Sequence, residues 1–316
     1  MKKLLIALLI LLLCALPALA EDEPERLTEG AYEYYLTEEG AVLTRYTAPT
    51  PSPAEVVLPL EIGGHPIVRY EFVFHDSKNT GPLRVIVPEG VTDFGNAFCE
   101  SSSMTEIVLP ASLTHIEEGS LFWGDPAITV HPDNACFTCE DGFLIDTRTS
   151  TLLYTAPSAQ NSPLPEVRRL GEACLYNWNV ADAPVLPDTL TAIGPRVFDE
   201  WLYLTHIDLP AGVTEIGAGA FNCCGLTEIA LPAGLTEIRH LTFSCTDLTE
   251  IVIPDGVTRI EEWAFYLVPL TRVEIPASVA LVEYMAFDPE VELVLLGDNT
   301  HLETEEEYDA RMGWDD

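Results

Sequence analysis

Leu226-Thr-Glu-Ile-Ala-Leu-Pro232 and, 22 residues later, Leu248-Thr-Glu-Ile-Val-Ile-Pro254 are one phrase written twice. Each is followed by a second half in which a Val or Leu, then an Ile, then a Phe return at fixed distances. Prolines mark the period along the chain: Pro59, Pro88, Pro110, Pro132, Pro165, Pro187, Pro210, Pro232, Pro254 and Pro276. The gaps are 29, 22, 22, 33, 22, 23, 22, 22 and 22. A fixed period of this size means one structural unit stacked on its own copies, a solenoid.

Aligned on the proline, each column has a physical role. Three residues before it stand Ile107, Ile207, Ile229, Ile251 and Val273; one before it stand Leu109, Leu209, Leu231, Ile253 and Ile275. This alternation is the mark of a half-buried strand. Proline lacks the N–H a ladder needs, so a short parallel strand is expected to end at or just before each one. Three after it come Leu113, Leu190, Val213, Leu235, Val257 and Val279; six after it, Ile116, Ile193, Ile216, Ile238, Ile260 and Val282. Eleven after it come Leu121, Phe198, Phe221, Phe243, Phe265 and Phe287. These columns are expected to point inward and form one apolar spine.

The pattern Leu-x-x-Ile-x-Leu-Pro-x-x-Leu-x-x-Ile-x-x-x-Ala-Phe, over about residues 55–297, resembles the BspA-like leucine-rich-repeat proteins. Columns hold their spacing through five consecutive repeats from Pro187 to Pro276. The resemblance implies a mainly β leucine-rich-repeat solenoid of about ten coils with short parallel strands. It also implies a secreted or surface-displayed, adhesin-type binding protein with no shared catalytic residues to carry over.

The ends and interruptions read separately. Lys2-Lys3, an apolar run from Leu4 to Leu16 and Ala18-Leu19-Ala20 make residues 1–20 a signal peptide. Secretion or display at the cell surface is therefore expected, with no transmembrane segment after cleavage. Residues 21–54 read as an N-terminal cap and linker: Tyr32–Leu36 and Ala41–Tyr46 form a β-hairpin over the first coil, and a Pro-rich connection follows. The long gap after Pro132 marks a small β-hairpin insertion at about 133–164, turning at Asp141-Gly142. Residues 298–316 read as an acidic C-terminal tail or cap, with a short helix over Thr304 to Arg311.

The formal net charge is −36. Such a surface repels nucleic acid and anionic membranes. Beyond Cys14 there are seven cysteines, an odd number that argues against a full disulfide framework. Cys223 and Cys245 both lie thirteen residues after their prolines, one coil apart at about 4.8 Å. Side-chain direction decides whether they pair. Cys136 and Cys139 are a single Cys-x-x-Cys without the second pair a zinc site needs.

Motifs of metalloproteases, serine hydrolases and nucleotide-binding loops are absent from the sequence. No catalytic residue, metal site or cofactor is expected. The expected role is extracellular protein–protein interaction or adhesion, with a protein or glycan partner. The first candidate site is the outward grid before the prolines, with His206, Asp208, Glu228, Glu250, Arg272 and Glu274. The paired column members Glu228/Glu250 and Glu215/Glu237, with Arg272 and Arg259 next along, read as charge ladders. A glycan-active carboxylate pair is the remote alternative. The second candidate is an aromatic edge of Trp123, Trp178, Trp201, Trp263 and Tyr266, joined by Tyr176 and Tyr203, suited to carbohydrate. Its members can equally wedge between coils.

Overall fold

The computed structural model describes residues 24–313, leaving out 48, 50–52, 72, 74–82, 96–103, 122–125, 161, 177, 179–182 and 299. The signal-peptide segment, Trp123 and Cys99 lie outside the described residues. The fold is mainly β, with about ten repeat coils. It divides into two compact units: Met1–Arg148 with Leu153–Gln160, and Thr149–Leu152 with Asn161–Asp316.

In the first unit the expected hairpin is the centre of a wider cap. Tyr32–Leu36 pairs antiparallel with Ala41–Tyr46; Leu27–Glu29 adds to one side and His65–Tyr70 to the other. Gly63 and Gly64, at φ 60° and 77°, make the two-residue turn joining Glu61–Ile62 to His65–Tyr70. Both angles lie where glycine carries no Cβ penalty. The strands Glu55–Val57, Leu83–Ile86, Met104–Leu109 and Ala127–Val130 then form a parallel ladder, each ending just before its proline. Their register stacks Val56, Val85, Ile107 and Ile128 into one buried column. The insertion is the hairpin Phe137–Glu140 and Phe143–Asp146, turning through Asp141 and Gly142 at φ 50° and 86°.

The second unit repeats the columns but moves the ladder. Before Pro187, Pro210, Pro232 and Pro254 the chain is extended coil and not strand, which corrects the expectation for these coils. Residue type two before the proline does not decide this, since Val185 and Val252 stand there in coils without the strand and Glu274 in the coil that keeps it. Parallel pairing falls instead on two-residue strands after the prolines. These are Ala192–Ile193 with Glu215–Ile216, then Glu237–Ile238 with Arg259–Ile260 and Leu281–Val282. Among the described residues of this unit, only Arg272–Ile275 keeps the position before its proline, pairing with Glu292–Leu295.

Two sets of backbone hydrogen bonds hold successive coils. In the first, N–H groups point back: Thr214 to Thr191 O at 2.9 Å, Thr258 to Thr236 O at 2.8 Å, Gly217 to Ile193 O at 2.8 Å. In the second, they point forward: Phe221 to Thr242 O at 2.9 Å, Phe243 to Ala264 O at 2.9 Å, Phe265 to Ala286 O at 2.8 Å. The second set depends on left-handed backbone at two columns of each turn. Arg196, Leu241, Trp263 and Met285 occupy one, at φ 56–58°; Glu200, Cys223, Cys245 and Leu267 occupy the other, at φ 55–64°. Gly219 fills the first of these columns in the Pro210 coil at φ 61° without a Cβ penalty, whereas each of the other residues costs about 1–2 kcal/mol that the ladder offsets.

The rings between those columns stack. Phe198, Phe221, Phe243, Phe265 and Phe287 lie face to face at centroid spacings of 5.1, 5.6, 5.4 and 4.9 Å, with interplanar angles of 15° or less. All five are buried, as are the columns three and six after the prolines. The Pro210, Pro232 and Pro254 coils thus bury their Phe on both faces of the ring. Phe243→Ala is expected to lose about 3–5 kcal/mol, because Phe221 and Phe265 are held by their own ladder bonds and cannot close the gap. A denaturant titration of wild type and variant measures it, and coincident midpoints would remove Phe243 from the core.

Candidate binding face

The grid before the prolines is solvent-exposed in the second unit. Its backbone is held between the buried columns three before and one before each proline. Ile207, Ile251, Ile253, Val273 and Ile275 are buried; Ile229, Leu209 and Leu231 are half-buried. With those side chains turned in, the alternation turns the intervening ones out. His206, Asp208, Glu228, Glu250, Arg272 and Glu274 are all exposed.

The structure brings some of these residues together. His206 Nε2 lies 3.1 Å from Asp208 Oδ1, and its Nδ1 lies 3.4 Å from Glu228 Oε1. The ring is therefore flanked by two carboxylates from adjacent coils. Arg272 Nη1 lies 3.0 Å from Glu274 Oε1 and its Nε lies 3.9 Å from Glu292 Oε2. Glu250 makes no ion pair among the described residues. Beside His206 and Asp208 is an open groove of about 360 Å³, also lined by Val185, Leu186 and Leu209. Val185 and Val252 are 87% and 82% exposed, so the charged grid also carries apolar surface. Sequence columns locate Val252, but Val185 precedes a proline whose upstream repeat departs from the phrase.

The second carboxylate column is organised otherwise than expected. Arg239, not Arg259, bridges Glu215 and Glu237, at 3.6 and 3.8 Å. Arg259 turns instead to Glu283. Glu215, Glu228 and Glu250 are exposed and Glu237 is half-buried.

The aromatic edge does not assemble as expected. Trp178 and Trp201 are buried, with Trp201 packed edge-on against Phe198 at 5.2 Å. They wedge into the spine and offer no surface. Trp263 is half-buried beside His240 at 5.2 Å, and Tyr176 and Tyr266 are half-buried. Tyr203 alone of these described aromatics is largely exposed, at 68%.

A second charged cluster closes the last coils. Thr304 and Glu307 form a capping box at the start of the helix Glu305–Met312, and Gly313 ends it in left-handed backbone. From this helix Arg311 reaches Glu303 at 2.9 Å, Glu262 at 3.3 Å and Glu283 at 3.7 Å. The carboxylates also accept backbone N–H groups: Glu262 N–H to Glu283 at 3.0 Å, Tyr284 N–H to Glu303 at 2.9 Å. The His240 ring holds the Glu262 carboxyl below its ordinary range against partial burial, and Arg311 adds to the effect. Burial pushes Glu303 up, but Arg311 and the Tyr284 N–H outweigh it and leave it lowered. Among the described residues no group of His, Cys, Asp and Glu is arranged to hold a metal ion. No described helix is long and apolar enough to cross a membrane.

The family described as BspA type leucine rich repeat region matches the chain in 6 copies, over residues 70–129 and 168–293. No curated protein matches. Among solved structures, the chain is similar to a leucine-rich repeat protein from Eubacterium ventriosum, at 17% identity over 86% of this chain and 93% of that one, with a TM-score of 0.55. It is also similar to a leucine rich cell surface protein from Faecalibacterium prausnitzii, at 19% identity over 92% and 98%, TM-score 0.44. The Eubacterium likeness is one of fold.

The Arg311 cluster has a defined pH dependence. Glu262 and Glu303 are lowered on folding, so their contribution is fully present above the unfolded carboxylate value of 4.5 and is lost as pH falls through their lowered values. Arg311→Ala is expected to lower the thermal midpoint near neutral pH and to make little difference at about pH 3. Melting curves of both proteins across that range measure it; a gap that stays constant would show that the carboxylates are not coupled to Arg311.

Proposed function

The chain belongs to the BspA-type leucine-rich-repeat family, and from that premise we propose that it is a non-catalytic binding protein whose exposed face before the prolines docks an extracellular protein. The observation that carries this reading is the grid from His206 to Glu274: charged side chains at fixed spacing, with Val185 and Val252 exposed among them. A backbone tied at every coil loses little conformational freedom on binding, which lowers the cost of association. Exposed valines supply apolar area, and the surrounding charges choose the partner.

The grid holds four carboxylates, Asp208, Glu228, Glu250 and Glu274, against Arg272 and the His206 ring. It therefore suits a partner with a basic patch, and association is expected to slow as salt rises. The leader read in residues 1–20 supports an extracellular or cell-surface site of action, and the charge of −36 weighs against nucleic acid. Carbohydrate is the second reading. It rests on Tyr203 with its exposed neighbour Leu202, and on the half-buried Trp263 and Tyr266.

Arrays of extracellular proteins and of glycans, probed with the purified chain, separate the two. For a protein found this way, Glu228→Ala/Glu250→Ala is expected to weaken binding by about tenfold, mostly in the association rate at low salt. Tyr203→Ala/Trp263→Ala is expected to leave it unchanged. Loss only in the aromatic pair, with both variants folded, would move the site off the grid and favour carbohydrate.

A further inference from the structure

Cys223 and Cys245 occupy the same column of adjacent coils, and the coils are in register there. Cys223 N–H donates to Ser244 O at 2.8 Å, and Phe221 N–H, two residues earlier, to Thr242 O at 2.9 Å. Between those bonds the Phe221 and Phe243 rings stack with an interplanar angle of 5°. Both cysteines sit in left-handed backbone, at φ 55° and 59°, so the two coils repeat one local backbone conformation at this column. Cα atoms one ladder step apart, at about 4.8 Å, fall inside the 4.4–6.8 Å window a disulfide needs. The Cys245 thiol is near enough to raise that of Cys223, and Ser244 Oγ donates to Cys245 Sγ at 3.6 Å.

The other cysteines are placed differently. Cys224, the next residue, turns inward and donates its thiol to Phe198 O at 2.7 Å. Cys136 and Cys139 lie three apart around the start of a single strand, and no such column links them to a second coil. Glu200 and Leu267 hold the flanking positions of the Cys223 column, so the pair is confined to two coils.

We propose that Cys223 and Cys245 are a modification site: they oxidise to a disulfide that staples the Pro210 coil to the Pro232 coil. The oxidant is a small or protein disulfide, R–S–S–R. Cys223, half-buried and the more accessible, attacks one sulfur of R–S–S–R as its thiolate and releases R–S⁻. Cys245, as its thiolate, then displaces the second R–S⁻ from the mixed disulfide. The two protons from the protein thiols end on two R–SH, and the protein gives up two electrons. The adjacent Cys245 thiol, burial and the nearby Asp199 and Glu200 all raise the Cys223 thiol. Little thiolate is present near neutral pH, so the reaction is slow without an exchange catalyst and faster at alkaline pH.

The full chain, reduced and then incubated with oxidised glutathione, is alkylated in denaturant and cut with trypsin. Arg196, Arg239 and Arg259 place Cys223 and Cys245 on different peptides, 197–239 and 240–259. Mass spectrometry is expected to find these two peptides linked in wild type and in Cys224→Ser, and unlinked in Cys223→Ser. Oxidation is expected to raise the thermal midpoint of wild type and to leave that of Cys223→Ser unchanged. Absence of the linked pair, its persistence in Cys223→Ser, or a wild-type midpoint that does not rise would each overturn the proposal.

Discussion

Phe198, Phe221, Phe243 and Phe265 each donate the backbone N–H to the following coil while the ring lies flat on the next phenylalanine. The hydrogen bonds fix the coil spacing near the ladder distance, and an offset aromatic stack is stable at about that distance. One spacing therefore satisfies backbone and side chain together. Other features follow from holding it. Trp201 packs edge-on at the start of the stack. The left-handed residues on either side of each ring aim successive N–H groups along the stacking direction.

Much of the fold can be read from residue columns because burial leaves a compositional trace. A position that points inward at every coil must be apolar at every coil, so Leu190, Val213 and Leu235 announce themselves. Backbone conformation leaves less. Gly219 advertises the left-handed geometry of its column, but Arg196, Leu241, Trp263 and Met285 share that geometry without the signal. Here the stack enforces it on whatever residue is present. The move of the ladder to the far side of the proline is similarly hidden, since the apolar residues before Pro210 and Pro232 are inward-facing in coil as in strand.

At the candidate site, exposure is legible and pairing is not. Alternation places His206, Glu228 and Arg272 outside, as found. Arginine reach spans more than one coil, so column arithmetic does not choose between Arg239 and Arg259 as the partner of Glu215 and Glu237. Tryptophan is ambiguous for a related reason. Near the turn it can fill a wedge or stand out in solvent, and Trp178 and Trp201 fill wedges. A surface built from rigidly spaced charges with two bare valines fits selection among proteins better than one built from aromatic platforms.

The two sets of inter-coil hydrogen bonds run in opposite senses. Thr214 N–H points to the coil before it, whereas Phe221 N–H of the same coil points to the coil after. In an α-helix all peptide dipoles align, and their sum places partial charge at both ends. Here each coil contributes several such dipoles in each direction, and the opposed sets largely cancel. Adding a coil therefore accumulates no field along the stack. The number of repeats is thus not limited by a backbone macrodipole, and duplication of the 22-residue unit can lengthen or shorten the array while the backbone pairing at each internal junction stays the same.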